Sequence, residues 1–140
     1  MSPGSGQPVD LGALSAAMAG FWAERHLCTL TTLRSDGTPH VVPVGVALDP
    51  DEGCAWVIAS RTSRKVRNLV TPGEHRIAVC QVDGRRWATL EGLGEVRSDP
   101  ESVARAVERY ATRYRQPRPN DARVAIRITP TRVLGSGDLG

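Results

Sequence analysis

Apolar residues recur at three-to-four spacing over Leu11, Leu14, Met18, Phe21 and Trp22 toward Arg25, with Asp10 placed as a cap. That spacing predicts a helix with one stripe that must cover something else. From Leu27 the period changes. Leu27 to Leu33 is rich in β-formers, Ser35-Asp36-Gly37 reads as a hairpin turn, and Pro39 to Leu48 is the returning strand, apolar on both faces. Pro39 and Pro43 lack a ladder donor, which puts part of that strand at a sheet edge or where the sheet splits. Asp49 to Gly53 is a second turn, leading into a buried strand Cys54 to Ala59 and then a short helix carrying Val66, Leu69 and Val70, stopped by Thr71-Pro72-Gly73.

His75 to Val82 predicts a fourth strand, Asp83-Gly84 a tight hairpin, and Arg86 to Val96 a fifth strand on which Gly92 and Gly94 share one face, as at a barrel corner. Asp99 and Pro100 open the longest helix, with Val103, Ala106, Val107, Tyr110 and Tyr114 as its stripe. A stiff basic loop, Arg113 to Asn120, precedes a last strand, Val124 to Leu134. Six mostly hairpin-linked strands with helices at the start, middle and near the end argue against a doubly wound sheet. They predict a mainly β (α+β) fold, a small antiparallel barrel with peripheral helices. Residues 1–9 read as a disordered tail rich in Gly, Ser and Pro, and residues 10–140 as a single domain.

Composition narrows the setting. At 140 residues the chain suits one domain with one core, and 40% apolar residues without any run of membrane-spanning length predict a soluble protein without a membrane partner. No signal-like segment is apparent, so the expected compartment is the cytoplasm. Cys28, Cys54 and Cys80 sit singly inside apolar runs, which suggests buried fillers and no metal site. The net charge of +3 comes from scattered arginines. That favours an anionic small ligand over nucleic acid, for which the one Phe, two Tyr and three Trp offer no aromatic RNA-binding strand.

The chemistry concentrates at Ser60-Arg61-Thr62-Ser63-Arg64-Lys65. Hydroxyls of Ser60, Thr62 and Ser63, the charges of Arg61, Arg64 and Lys65, and the N–H groups opening a helix make a place for phosphate. No glycine-rich Walker loop precedes it, and the stretch reads equally as a solvated basic turn. The segment His40 to Gly45, where the strand carries its prolines, is the second place for a ligand.

Several of these segments carry a resemblance. Leu30-Thr31-Thr32-Leu33-Arg34, Pro39-His40-Val41-Val42-Pro43-Val44 and Arg64-Lys65-Val66-Arg67-Asn68, in that order, resemble the split β-barrel, FMN-binding type of the pyridoxamine 5′-phosphate oxidase-like superfamily. Gln81 to Trp87, Leu90-Glu91-Gly92, Arg109-Tyr110, Arg113-Tyr114-Arg115, Pro117-Arg118-Pro119-Asn120 and Arg132 to Ser136 resemble its actinobacterial branch that uses the deazaflavin coenzyme F420, and within it the biliverdin-reducing type. The resemblance implies a homodimer with two sites at the subunit interface. Lys65 with Ser60, Arg61, Thr62 and Ser63 would take the cofactor phosphate. His40, Val41, Val42, Pro43 and Val44 would line the deazaflavin ring through backbone groups, and Gln81 and Trp87 of the other subunit would complete the pocket. Trp87 reads as well as an interface aromatic, and the His40 side chain as one facing solvent.

The implied reaction is hydride transfer from reduced F420 to a conjugated acceptor, biliverdin to bilirubin, and no catalytic acid–base pair is visible. Glu91 and Glu95 read as edge or dimer-contact residues. Arg113, Arg115 and Arg118 are candidate partners for the carboxylates of a tetrapyrrole or for the acidic cofactor tail, with Arg118 also a candidate for positioning a proton-donating water. The alternatives are FMN as cofactor, a different acceptor, or a cofactor-binding protein without catalysis of its own.

Overall fold

The computed structural model describes residues 7–140; most of the tail expected over residues 1–9 lies outside the described residues. Val9 is already tied down, its N–H donating to the Pro130 carbonyl at 2.8 Å. The first helix is shorter than its spacing predicts. Asp10 does cap, accepting from the Gly12 N–H at 2.9 Å, but it opens only a single 3-10 turn, Leu11–Ala13. Leu14 is extended, and Ser15 starts helix α1 (Ala16–Ala23) by accepting from the Met18 N–H at 3.1 Å. The break has a physical reason, because the Ser15 hydroxyl also donates to the Leu139 carbonyl at 2.6 Å and so fixes the entering chain against the C-terminus.

Seven strands form the sheet where six were expected: β1 (Cys28–Leu33), β2 (Pro39–Val44), β3 (Ala47–Asp49), β4 (Cys54–Ser60), β5 (Arg76–Asp83), β6 (Arg86–Arg97) and β7 (Arg123–Gly135). The extra one arises because the long returning strand breaks at Gly45 and Val46 into β2 and β3. The order is β2-β1-β5-β6-β7-β4-β3, with every pair antiparallel. The two edge strands are therefore consecutive in the chain. With only Gly45 and Val46 between them, their ends lie no more than about 11 Å apart, so the sheet must curl round on itself. The result is an antiparallel barrel with a seam between β2 and β3, and the prolines of β2 mark an edge strand that ends at the split. β6 bends where its register with β7 shifts between Glu91 and Gly92; a side chain at Gly92 would collide with the Thr129 carbonyl.

Two helices plug the ends of the barrel. α1 delivers Phe21 and Trp22, and α2 (Arg64–Val70) delivers Val66 and Leu69, into one cluster with Leu30, Val79, Leu90 and Ile126. α3 (Pro100–Arg113) starts as predicted, Asp99 accepting from the Ser102 N–H at 3.0 Å with Pro100 in the first turn, and lies outside against β3, β4 and β7. Its Arg105 grips the buried Asp49 carboxylate with contacts of 2.7 and 2.8 Å, and the Trp56 indole adds a third at 2.9 Å. No helix among the described residues is long and apolar enough to cross a membrane.

The seam is closed by the end of α3. Gly45 passes so close to the Tyr110 and Tyr114 rings that a side chain there would overlap them. The Tyr114 hydroxyl meets the Val46 N–H at 3.1 Å and donates to the His26 carbonyl at 2.6 Å. Arg113, only 8% exposed, donates to the carbonyls of Val46 at 2.6 Å and Glu24 at 2.8 Å and to the Gln81 side-chain oxygen at 2.6 Å. The Gln81 amide passes the chain of bonds on to the Phe21 carbonyl at 3.0 Å. One guanidinium thus satisfies the seam, the end of α1 and β5 together. This corrects the expectation for Arg113 as a partner of substrate carboxylates, since its donors are spent inside the fold.

Arg113→Ala takes the guanidinium from the carbonyls of Val46 and Glu24 and from the buried Gln81 oxygen, leaving only the longer Tyr114 and Cys28 contacts at Val46 and Gln81. The expected cost is about 3–5 kcal/mol of unfolding free energy, read by urea denaturation, with Arg113→Lys recovering only part because one ammonium cannot span three acceptors. A loss within the roughly 0.5 kcal/mol of an ordinary surface change would show that the seam closes without it.

Candidate functional site

Where β4 runs out at Ser60, the chain turns through Arg61 to Ser63 and enters α2. The turn is built from its own polar atoms. The Ser60 carbonyl accepts from the Ser63 N–H at 3.0 Å and from the Ser63 hydroxyl at 2.7 Å, and the Asn120 amide donates to the Ser60 hydroxyl at 2.9 Å. The Arg61 N–H reaches the Ala122 carbonyl at 2.8 Å, and Arg123 holds the Arg118 carbonyl at 2.6 Å. Of the three hydroxyls singled out from the sequence, only that of Thr62 has no partner among the described residues. Ser63 opens α2 without a side-chain cap bond. These contacts also fold the loop bearing the exposed Arg118 back toward the same turn.

A second layer comes from β1 and β2. Thr32 and His40 are directly opposed across the hairpin, so their side chains share a face. Thr32 is buried and accepts from the Asn68 amide of α2 at 2.9 Å. Lys65 lies three residues before Asn68, on the same side of α2, and so comes down beside His40. The His40 side chain therefore turns inward, not to solvent as its place near a strand end suggests, and its Nδ1 is enclosed without a hydrogen-bond partner. Burial first, then the charges of Arg34, Lys65 and Arg64, hold the imidazole below the usual histidine range. Burial alone pulls down Lys65, the chain's single lysine. Arg61, Arg64 and Lys65 form no ion pair among the described residues. Lys65 is half-buried and Arg61 and Arg64 are exposed, so the turn gathers three cations without counter-charge among the described residues, the donor set an anion would need.

The remaining expected residues fall on two other surfaces. Val42 and Val44 of β2 face the core with His40, while Pro39, Val41 and Pro43 face out. That outer face carries Val41 (56% exposed), Val82 (64%), Trp87 (39%) and Leu93 (46%). A shallow cavity of about 280 Å³ is set into it, lined by Thr31, Leu33, Ala78 and Leu93 among others. Gln81 is a correction. It is 1% exposed, and its oxygen and amide are committed to Arg113 and Phe21 of the same chain, so it does not face a second subunit. Glu24, His26 and Asp83 bring potential metal-ligand atoms together, but Arg86 already stands among them as the cation, with contacts of 2.6 to 2.9 Å to both carboxylates.

Sequence reading missed Thr32, Asn68 and Arg34. Counting back from the Asp36-Gly37 turn pairs Thr32 with His40, and that register was the available signal for the inward imidazole. Asn68 gave none, since a polar residue in a basic helix reads as exposed.

Residues 14–137 match the family model described as pyridoxamine 5′-phosphate oxidase. The chain is 49% identical over 126 residues to an F420H(2)-dependent biliverdin reductase of Mycobacterium tuberculosis (strain CDC 1551 / Oshkosh), covering 90% of both proteins. Among solved structures it is similar to the conserved hypothetical protein Rv2991 of Mycobacterium tuberculosis, with TM-score 0.74, 25% identity and 94% and 89% of the two chains covered. It is also similar to an F420 reductase, with TM-score 0.70, 25% identity and coverage of 86% and 98%. The barrel with its seam, the basic turn at its end and these matches along almost the whole chain place it together: the chain belongs to the pyridoxamine 5′-phosphate oxidase family.

Proposed function

We propose that the chain is an F420H2-dependent reductase that converts biliverdin to bilirubin. The observation that carries this reading is the 49% identity, over 90% of both chains, to a relative of that activity. The site supports it, because a phosphate-bearing cofactor needs cations free of internal partners, and Lys65, Arg61 and Arg64 are such cations. Lys65, Arg61 and Thr62 would hold the phosphate, with Ser60 and Ser63 shaping the turn, and Val41 and its neighbours on β2 would offer backbone and apolar surface to the ring. When bound, the reduced deazaflavin supplies the hydride. What the chain adds is orientation and exclusion of water. Arg118 would meet a propionate of the acceptor or hold the water that gives the proton.

The same reading includes a homodimer. The outer face of β2, β1, β5 and β6 leaves Val41, the cross-strand pair Val82 and Trp87, and Leu93 exposed, and a second copy would cover it face to face. Trp87 then reaches the partner's site, which Gln81 cannot. Three unpaired cysteines agree with a reducing, cytoplasmic setting.

Reduced F420 mixed with the protein and biliverdin is expected to reoxidise, with bilirubin appearing; no reoxidation would remove the substrate from the proposal. Lys65→Ala is expected to weaken F420 binding by about one to two decades, the worth of one charge-assisted contact, without lowering the melting temperature, and unchanged affinity would move the phosphate elsewhere. Titration with FMN alongside separates the two cofactors. Sedimentation at low concentration is expected to show a dimer, with Trp87→Arg shifting it toward monomer, whereas a monomer that binds F420 at full affinity would contradict the shared site.

A further inference from the structure

A cleft of about 200 Å³ between α1, β3 and α3 has no part in the site described above, since none of its lining residues belongs to α2 or to the basic turn before it. Leu11, Leu14, Ala19 and Ala47 give it apolar walls. Its polar side chains are almost all spent. Arg113 is the seam clamp, Thr112 donates its hydroxyl to the Glu108 carbonyl at 3.0 Å, and the Trp22 Nε1 is sealed from any visitor. Arg109 differs. Its Nε and Nη2 converge on the Leu48 carbonyl at 3.2 and 3.0 Å, which occupies one edge of the guanidinium and leaves its charge unmet. Its Nη1 has no partner among the described residues, and no carboxylate there pairs with it. The acids close by face another arginine: Arg105 holds Asp49 with contacts of 2.7 and 2.8 Å and lies 3.8 Å from Glu108.

We propose that this cleft binds a small aromatic monocarboxylate, its carboxylate on the free edge of Arg109 and its ring against the apolar walls. Size sets the class. An apolar cavity of ~150 Å³ accepts benzene, so a slightly larger cleft takes one ring with a short acidic arm. Drug-sized ligands need roughly 300–1,000 Å³, which rules out a tetrapyrrole or a deazaflavin here. Charge sets the rest. The remaining guanidinium edge presents two N–H groups in one plane, the geometry that a carboxylate matches with its two oxygens. A dicarboxylate or a phosphate dianion would bring a second charge that no unspent donor of the lining meets, and a neutral ring would leave the Arg109 charge as it is.

The chain has three tryptophans, so NMR of the indole N–H groups in isotope-labelled protein reads the cleft directly. Benzoate is expected to shift the signal of Trp22, which lines the cleft, saturably, and to leave that of Trp87 on the outer face of the sheet unmoved. Benzamide, a neutral probe of the same shape, is expected to bind about tenfold more weakly or less, and Arg109→Gln to bring benzoate down to that level, a loss of about ten- to a hundredfold for one charge-assisted pair. Ala19→Leu, at an exposed helix position that tolerates leucine, fills the cleft and is expected to abolish benzoate binding with Arg109 intact. Equal affinity for benzoate and benzamide in the wild type, a benzoate preference that survives in Arg109→Gln, or unchanged binding in Ala19→Leu would each overturn the proposal. So would a Trp22 signal that benzoate does not move. None of these readouts involves F420 or biliverdin, so the cleft and the reductase reading stand or fall separately.

Discussion

The constraint on which the fold depends is a barrel that does not close by strand pairing. Between β2 and β3 the sheet has a seam, and a seam in a core exposes backbone groups that no neighbouring strand can satisfy. Arg113 and Tyr114 do so from outside the sheet. The guanidinium suits the task because its donors fan out in one plane and reach acceptors on three separate elements, while its charge is shared among carbonyl dipoles instead of being met by a carboxylate. Trp22 and Tyr114 lay aromatic faces beside it, which further offsets its removal from water. The end of α3 is in effect the missing piece of the barrel wall, and Gly45 is the position where that piece comes closest.

With the seam fixed at one end, the other end is free for chemistry. There the arrangement is reversed: cations lie near one another and the chain provides them no anions. Such a group opposes the isolated fold through mutual repulsion, and burial adds to this at Lys65. The two ends are built from the same residue types, arginine above all, and differ in whether the donors are spent internally. That difference separates the arginines the fold has committed from those it leaves available better than charge or position does.

Much of this was legible in the sequence. Apolar periodicity, the turns at Asp36-Gly37 and Asp83-Gly84, and the Asp99-Pro100 helix start located the elements because each signal is local. The basic turn after Ser60 was legible for the same reason. What escaped were contacts between distant positions. Nothing near Arg113 in the chain says that Val46 and Gln81 await it, so a buried clamp read as an exposed binding residue, and Gln81 read as a pocket residue. The break at Gly45 was hidden by the uniform apolar run around it, and it is enforced by two tyrosines about 65 to 70 residues away along the chain.

The prolines of β2 have a further effect. Register with β1 begins from the Arg34 N–H to Thr38 carbonyl bond, so Pro39, Val41 and Pro43 turn their backbone nitrogens away from β1 toward the free edge. Along that edge Val41 then offers the only N–H among those three positions. An incoming strand would find almost no ladder to zip onto, so growth by edge-to-edge addition, the first step toward cross-β aggregates, is barred at the strand that the seam leaves most exposed.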